Sequence, residues 1–424
     1  MYNLFKLDNG LRVVVEDIEY VNSVSVGLWV ENGSRNENET NSGISHFIEH
    51  MLFKGTHGRT VKQIAEAIED VGGQINAFTG REATCFYIKA LETHLELSLD
   101  IISDMLFNSN FSDDDIEKEK SVIIEEINMS EDSPEDVLAD LHTKAIWNTD
   151  SISFPILGTM STVKSFSKKI LVDYKDSYYI PENSVISISG KFNMENIQSL
   201  VEKYFGKWSC KNKKITKYSR PEILNHHYFR KKDIEQLHVS LGIPGIEIGD
   251  DDTYTLILLS NILGGGASSK LFQKIREELG VCYSIYSYIS AFKNTGVVSI
   301  YAGLNPMHAE AAINAIKEEV NQFAKLGIDN ERLYKAKEQL KGSYILGLES
   351  TSSRMFSNGR SVMFMNKINT PKDVLKKIND IDMTRVNSVM EKTFKNGIIN
   401  SAFVGKEKEM LEKVFKRDII SMYK

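Results

Sequence analysis

The sequence predicts an α+β protein built from two similar domains, and three features lead to this prediction. Residues 183–205, NSVISISGKFNMENIQSLVEKYF, have the pattern of a strand, a glycine turn and an amphipathic helix, and NSAFVGKEKEMLEKVF (400–415) repeats that order. The alternating segments NSVSVGLWV (22–30) and EQLHVSLGIPG (235–245) each precede a polar loop and a helix. A length of 424 residues suits two domains of about 200 residues each.

The elements of each half follow in the same order. The chain begins with two short strands around Asn9 and Gly10, because an Asn-Gly pair between alternating segments is typical of a hairpin turn. Both halves then show a helix, a strand pair and a long helix. The span SCKNKKITKYSRPEILNH (209–226) is polar and basic, and we place the boundary there. The predicted domains are residues 1–215 and 216–424.

The composition excludes several classes of function. The formal net charge is −7, which gives no bulk electrostatic support for a nucleic-acid partner. No stretch approaches the roughly 20 apolar residues that a membrane span needs, and the N-terminus does not have the pattern of a signal peptide. Cys85, Cys210 and Cys282 have neither zinc-ligand spacing nor a disulfide pattern, so we expect a cytoplasmic protein with no membrane partner.

The stretch SGISHFIEHMLFKGT (42–56) carries the strongest chemical signal. Positions i, i+3 and i+4 of a helix lie on one face, so His46, Glu49 and His50 point the same way. Two imidazoles one turn apart can bind one zinc ion, and the carboxylate between them can accept a proton from the attacking water. The alternative is an ordinary amphipathic helix, but a chance His-x-x-Glu-His match in this chain has odds of about one or two per cent.

Cap candidates frame this helix and the acidic helix discussed next. We expect Asn41 or Ser42 to cap the start of the histidine-bearing helix and Gly55 to end it. Ser112 is the expected cap of the acidic helix, whose acidic first turn suits the helix dipole.

A catalytic zinc site usually has three protein ligands, so a third ligand is needed. The histidines outside the motif are not obvious candidates. Among them, His94, His142 and His308 lie singly in predicted helices or their caps, His226 and His227 lie in the linker, and His238 lies in a strand. The acidic helix SDDDIEKEKSVIIEEINMSED (112–132) is better, since Glu119 and Glu126 are two turns apart on one face. One carboxylate can bind the ion while the other supports a ligand. The alternative is a solvated acidic helix, which is how we interpret Glu117 and Glu125.

The chain resembles the pitrilysin family of zinc metallopeptidases, and most of all the branch of mitochondrial processing peptidase and its bacterial relatives. The matching segments run from LDNGLRVVVED almost to the C-terminus and include the histidine motif, GGQINAFTGREATCFY, EKEKSVIIEEINMSEDSPED and LGGGASSKLFQKIREELGVCYSIYS. The resemblance implies that each domain is a mostly antiparallel sheet with helices packed on it. It makes His46, His50 and Glu126 the ligands of one zinc ion per chain, Glu49 the general base and Glu119 an accessory acid.

The resemblance also implies residues that contact a peptide substrate. GGQINAFTG (72–80) matches an exposed edge strand that pairs with the substrate backbone, which makes Asn76, Ala77, Phe78 and Thr79 substrate-binding residues. A routine hairpin strand is the alternative. Phe53 matches a residue that lines the substrate cleft, with a core phenylalanine as its alternative.

In the second half, Arg276 and Tyr283 match an arginine–tyrosine pair that family members place across the cleft from the zinc. Such a pair can hold the substrate carbonyl and stabilise a developing oxyanion. From composition alone, Arg276 would be a solvated helix residue and Tyr283 a strand residue. The nearby LGGGASSK (263–270) lacks the spacing of a phosphate-binding loop, so we do not predict nucleotide binding.

The resemblance finally implies an activity and an assembly. We expect a zinc-dependent endopeptidase that hydrolyses short or unfolded peptides inside a closed chamber. Long family members use four such domains in one chain, whereas this chain has two, so we predict a homodimer in which Arg276 and Tyr283 of one subunit face the zinc of the other. A paralogous subunit is the alternative partner. The alternative functions are a non-catalytic structural subunit of a larger assembly and a peptide-binding module that retains the metal.

Overall fold

A computed structural model describes residues 1–210, 213–415 and 419–422. The strands are β1 Tyr2–Lys6, β2 Arg12–Asp17, β3 Ser23–Val30, β4 Gln74–Thr79, β5 Thr84–Leu91, β6 Ser184–Gly190, β7 His227–Lys231, β8 Leu237–Pro244, β9 Cys282–Phe292, β10 Thr295–Leu304, β11 Asn400–Gly405 and β12 Ile420–Ser421.

The α-helices are α1 Ile44–Leu52, α2 Val61–Glu69, α3 Leu95–Asn108, α4 Asp113–Asp132, α5 Pro134–Trp147, α6 Met160–Ser165, α7 Lys168–Tyr178, α8 Ile197–Phe205, α9 Thr253–Gly264, α10 Ala309–Leu326, α11 Asn330–Gly347, α12 Thr351–Met365, α13 Pro371–Asn379, α14 Met383–Lys392 and α15 Glu409–Phe415. A π-helical segment, Phe272–Glu278, precedes β9.

The chain forms two compact units, and neither is one continuous stretch. Unit 1 contains Met1–Asn128, Phe154–Lys217 and Ile345–Asn369, and unit 2 contains Met129–Ser153, Tyr218–Tyr344 and Thr370–Lys424. These units differ from the predicted domains 1–215 and 216–424 by two exchanged segments, 129–153 and 345–369, and by a boundary after Lys217. Residues 211 and 212 of the predicted linker lie outside the described residues.

Each exchanged segment carries one helix that packs on a sheet of its own unit. In unit 1, α12 lies against β3 and β6, where the Ser25 and Thr351 hydroxyls are 3.0 Å apart and the Ser187 hydroxyl donates to the Met355 carbonyl at 2.8 Å. In unit 2, α5 lies against β8 and β11. Both helices therefore complete a sheet face through contacts that hydrophobic periodicity along the chain does not specify.

The sheet of unit 1 has the order β1-β2-β6-β3-β5-β4. The β1–β2 hairpin forms at Asn9 and Gly10 as predicted, and Gly10 has a φ of +101°, which suits glycine. The β2–β6 pair is parallel and the other pairs are antiparallel. Helices α1, α3, α4, α7 and α8 bury apolar side chains in the core on one side of this sheet.

The sheet of unit 2 has the order β12-β7-β11-β8-β10-β9. When it is read from β9, it matches the sheet of unit 1 read from β4, so that β8 corresponds to β3 and β11 to β6. These are the pairs of segments that the sequence repeat predicted. The predicted fold class, two similar α+β domains with mostly antiparallel sheets, is therefore confirmed. β4 and β9 occupy the equivalent outer edges of their two sheets.

Candidate metal centre and active site

Three ligand atoms of unit 1 form a small triangle between α1 and α4. His46 Nε2 and His50 Nε2 are 3.2 Å apart, and Glu126 Oε2 lies 3.6 Å from each of them. A point equidistant from all three is about 2 Å from each, which is the distance at which zinc binds nitrogen and oxygen ligands. The two imidazole Nε2 atoms face each other, and both face the Glu126 carboxylate. The three residues thus fit one metal ion with an open coordination position.

The triangle follows from how the two helices bury their apolar faces. Phe47, Ile48 and Met51 of α1 are fully buried, so the helix presents the opposite face, with both histidines, towards α4. On α4, Ile123 is buried between Glu119 and Glu126, which keeps both carboxylates near the core. The two-turn spacing predicted from the sequence therefore brings both carboxylates to the histidines.

Glu119 lies beside the triangle. Its Oε1 accepts a 2.7 Å hydrogen bond from His50 Nδ1, and its Oε2 pairs with Lys54 Nζ at 2.6 Å. Burial opposes ionisation of Glu119, but the contacts with His50 and Lys54 outweigh it and lower the pKa of the carboxyl. An ionised Glu119 holds the proton of His50 on Nδ1 and leaves Nε2 free for a metal.

The two histidines differ in their surroundings. Burial and the neighbouring His50 lower the pKa of His46 to about 3, so His46 is neutral at physiological pH, as a metal ligand must be. Burial acts in the same direction on His50, but the hydrogen bond to Glu119 and the nearby carboxylates dominate and raise its pKa. His46 Nδ1 is buried and has no hydrogen-bond partner among the residues that the structure describes.

Glu49 lies about one turn after His46, directly precedes His50 and contacts the edge strand. Its Oε2 accepts a 2.5 Å hydrogen bond from the hydroxyl of Thr79 at the end of β4. Burial, with a further contribution from the Glu126 charge, raises the pKa of Glu49 above its ordinary value, although the Thr79 hydroxyl and His50 act against this shift. A carboxyl whose pKa is raised is better matched to taking and returning a proton near neutral pH.

The strand β4 is the outer edge of its sheet and pairs with β5 alone among the described strands. Gln74, Asn76 and Phe78 alternate with less exposed neighbours, as expected for a strand with one open face. Phe78 packs edge-on against Trp29 of β3 and against Phe356 of α12, with ring centroids 5.6 and 5.8 Å apart, and is still 40% exposed.

Phe53 follows the last residue of α1 and is half-buried. Its ring lies 6.3 Å from that of Phe86 on β5, within the apolar cluster of unit 1. This position matches the core alternative at least as well as the substrate-contact prediction.

Arg276 and Tyr283 come together in unit 2. Arg276 lies on the π-helical segment, and its guanidinium is 5.4 Å from the centre of the Tyr283 ring. The β9–β10 pairing skips Tyr283, because Cys282 pairs with Leu304 and Ser284 with Gly303. This bulge turns Tyr283 outward, and the side chain is 74% exposed. The pair predicted from the family resemblance is therefore a contacting, solvent-exposed pair.

Two features of the site were missed from the sequence. The N-cap of α1 is Gly43, with no side-chain cap from Asn41 or Ser42, and the buried carboxylate of Glu37 accepts the first N–H groups instead. The link between Thr79 and Glu49 was also missed, since Thr79 was predicted only as a substrate contact. The expected cap at Ser112 does form, with its hydroxyl accepting from the Asp115 N–H.

Among the described residues, no helix has the length and apolarity needed to cross a membrane. Cys85, Cys210 and Cys282 are free thiols.

Comparison with known proteins identifies two family matches along the chain. Residues 12–160 match the family described as Insulinase (Peptidase family M16), and residues 165–340 match the domain described as Peptidase M16 inactive domain. An uncharacterized zinc protease of Bacillus subtilis, YmxG, is 41% identical over 394 residues, which cover 93% of this chain and 96% of the relative. An uncharacterized zinc protease of Mycobacterium leprae is 37% identical over 387 residues, covering 90% and 87% of the two chains.

Solved structures share the fold at lower identity. A protease from Helicobacter pylori superposes with a TM-score of 0.89 at 24% identity, covering 96% of this chain and 99% of that one. A chain of complex III2 from Candida albicans superposes with a TM-score of 0.84 at 18% identity, covering 96% and 97%.

Proposed function

Because the chain belongs to the M16 (pitrilysin/insulinase) family of peptidases, we propose that it is a zinc-dependent endopeptidase that hydrolyses short or unfolded peptides inside a closed chamber. The observation that carries the proposal is the triangle of His46, His50 and Glu126, with Glu49 beside it. A scaffold without catalysis would not need a carboxylate placed beside three converging ligand atoms.

In this proposal the residues of unit 1 divide the chemistry among them. His46, His50 and Glu126 hold zinc, which when bound supplies Lewis-acid polarisation of the scissile carbonyl and of the attacking water. Glu49 accepts a proton from that water and returns it to the leaving amine. Glu119 orients His50, and Thr79 orients Glu49.

The substrate backbone is proposed to pair with the open edge of β4, along Asn76, Ala77, Phe78 and Thr79. Main-chain hydrogen bonds to an edge strand are nearly independent of sequence, so this mode suits a peptidase of broad substrate range. Thr79 ends the strand and contacts the general base, so a peptide paired with β4 would run towards Glu49.

Arg276 and Tyr283 are proposed to bind the substrate carbonyl from a second copy of the chain. Their exposure and mutual contact are consistent with a role outside the core of unit 2. The proposal therefore includes a homodimer whose two zinc sites each use the Arg276–Tyr283 pair of the partner. We place this dimer in the cytoplasm, where the three free thiols would stay reduced.

Zinc analysis combined with cleavage of a quenched peptide library tests the activity. We expect one zinc per chain in the wild type and cleavage that Glu49→Gln abolishes while zinc is retained. Glu126→Gln should lose zinc, whereas the exposed neighbour Glu125→Gln should keep both zinc and cleavage. If the chain binds zinc but cleaves no peptide, the result would support a peptide-binding module. If the chain binds no zinc, the result would support a structural subunit.

Mixing two inactive variants tests the assembly. Glu49→Gln and Arg276→Ala subunits are each expected to be inactive alone, and their mixture should recover activity in the mixed dimers. A mixture that stays inactive, although mixed dimers are detected, would exclude action of Arg276 across the dimer.

A further inference from the structure

One short segment of unit 1, residues 33–37, contacts two of the elements around the proposed catalytic centre, α1 and the β4–β5 hairpin. We refer to these residues, GSRNE, as the bracket loop. Its last residue, Glu37, binds the start of α1, which carries His46, Glu49 and His50. Its earlier residues bind the turn of the β4–β5 hairpin, which directly follows Thr79.

The contact with α1 is a buried carboxylate on two backbone N–H groups. Glu37 Oε2 accepts from Gly43 N at 2.7 Å, and Oε1 accepts from Ser45 N at 2.9 Å. Glu37 is 5% exposed, so solvent does not replace these bonds readily. His46 follows Ser45 directly, so these two hydrogen bonds fix the backbone immediately before the first histidine.

Gly43 fixes the backbone conformation at the start of α1. It has a φ of +91°, and a Cβ at this position would lie 2.6 Å from the Leu157 carbonyl oxygen. A side chain is therefore excluded for both conformational and steric reasons. The entry of α1 is fixed by close backbone packing on one side and by Glu37 on the other.

The contact with the hairpin consists of backbone bonds and an ion pair. Arg35 N donates to the Arg81 carbonyl at 2.8 Å, and Ser34 N donates to the Gly80 carbonyl at 3.3 Å. The Arg35 guanidinium also pairs with the Glu82 carboxylate, and both side chains are almost fully buried. The turn that follows Thr79 is therefore attached to the same loop that clamps α1.

Capping alone would not require this arrangement. Helices α2, α6 and α7 of unit 1 are capped by the hydroxyl of the residue just before them, which are Thr60, Thr159 and Ser167. Burying a carboxylate costs more free energy than capping a helix with a solvent-exposed hydroxyl. A serine just before α1 would therefore cap this helix at a lower cost in free energy than Glu37 does. What the distant carboxylate adds is a link between α1 and the hairpin.

We propose that Glu37 is a positioning residue of the active site: through the bracket loop it holds α1 and the β4–β5 hairpin in the register that places Glu49 on Thr79. The inference rests on the proposed peptidase function. Glu37 touches neither substrate nor metal and acts through the placement of α1. Its removal should therefore impair the chemical step more than peptide binding.

The test compares Glu37→Gln and Glu37→Asp with a matched control. Glutamine has one acceptor oxygen and an amide that donates, so one of the two N–H groups loses its acceptor. The control is Asp382→Asn, which makes the same carboxylate-to-amide change at the cap of α14 in unit 2, where Asp382 accepts from Arg385 N at 2.8 Å. Three measurements are made: steady-state kinetics on a library peptide, which give kcat and KM; zinc affinity by chelator competition; and amide hydrogen exchange of α1 in zinc-free protein.

We expect Glu37→Gln to lower kcat by about tenfold or more while KM changes by less than about twofold. Zinc affinity should fall, and the α1 amides should exchange faster than in the wild type even without metal. Glu37→Asp should recover part of the kcat, and Asp382→Asn should match the wild type in all three measurements.

The inference is overturned if Glu37→Gln keeps the wild-type kcat, zinc affinity and α1 protection while Glu49→Gln abolishes cleavage. If Glu37→Gln does not fold, Glu37→Asp decides, since a wild-type kcat and wild-type α1 exchange for this variant contradict positioning. If the wild type cleaves nothing, the proposed function fails, and α1 exchange with zinc affinity still decides the role of Glu37.

Discussion

The hydroxyl of Thr79, at the end of an edge strand, donates a 2.5 Å hydrogen bond to Oε2 of Glu49, the proposed general base. This contact joins the element proposed to bind the peptide backbone to the element proposed to move the proton. Thr79→Val keeps the shape of the side chain but removes the donor. We expect kcat to fall by about tenfold, the usual loss when a bond to a charged group is removed, with little change in zinc content. Steady-state kinetics with Thr79→Ser, which keeps the hydroxyl, provide the control; equal kcat values for the valine and serine variants would contradict this role.

Glu119 should contribute to zinc affinity without binding the ion. Glu119→Gln weakens its contacts with His50 and Lys54, so the imidazole is held less firmly in the tautomer that offers Nε2. We expect a loss of zinc affinity of roughly 10- to 100-fold, measured by competition with a chelator. Glu117→Gln, on the same helix but 70% exposed, should bind zinc like the wild type. A similar loss in both variants would point to a general effect of α4 charge.

The buried pair of Arg35 and Glu82 should contribute strongly to the stability of unit 1. The two side chains are 2% and 4% exposed, so Glu82→Gln removes the carboxylate charge from a buried ion pair with the Arg35 guanidinium. We expect the free energy of unfolding to fall by about 3–5 kcal/mol in urea denaturation. The double variant Arg35→Met, Glu82→Leu removes both charges and should be less destabilised than Glu82→Gln. If the double variant is the less stable of the two, the cost comes from lost packing and not from the broken ion pair.

His142 should make unit 2 sensitive to acid. This histidine of α5 is buried, its Nδ1 lies 2.8 Å from the Ser240 hydroxyl, and burial lowers its pKa from 6.5 to about 4. The unfolded chain therefore binds the proton first as the pH falls. The stabilising contribution is present above about pH 6.5 and is lost between pH 6.5 and 4, by roughly 3 kcal/mol in total.

Urea unfolding of the wild type and of His142→Gln across this pH range checks the sign. The wild type should lose stability more steeply than the variant as the pH decreases from 6.5 to 4. His308→Gln, at an exposed position before α10, should keep the wild-type slope. If His142→Gln shows the same decrease in unfolding free energy with falling pH as the wild type, other groups cause the acid sensitivity.

Much of the fold could be predicted because its signals are local. The repeat of strand, turn and helix in the two halves predicted two similar α+β domains, and the strand orders agree with it. The assignment of α5 and α12 to units could not be predicted. An amphipathic pattern shows that a helix has an apolar face, but both sheets offer a surface that such a face can cover.

The candidate site also has features that the sequence could predict and features that it could not. The spacing of His46, Glu49 and His50 on one helix, and of Glu119 and Glu126 on another, follows from 3.6 residues per turn, so the sequence by itself determined these two sets of side chains. Tertiary structure alone decided that the two faces meet within 3.6 Å, that Thr79 contacts Glu49, and that Glu37 clamps Gly43 and Ser45. The physical reason is range: helical periodicity acts over one or two turns, whereas these contacts depend on how buried apolar faces pack, which no short stretch of the chain encodes.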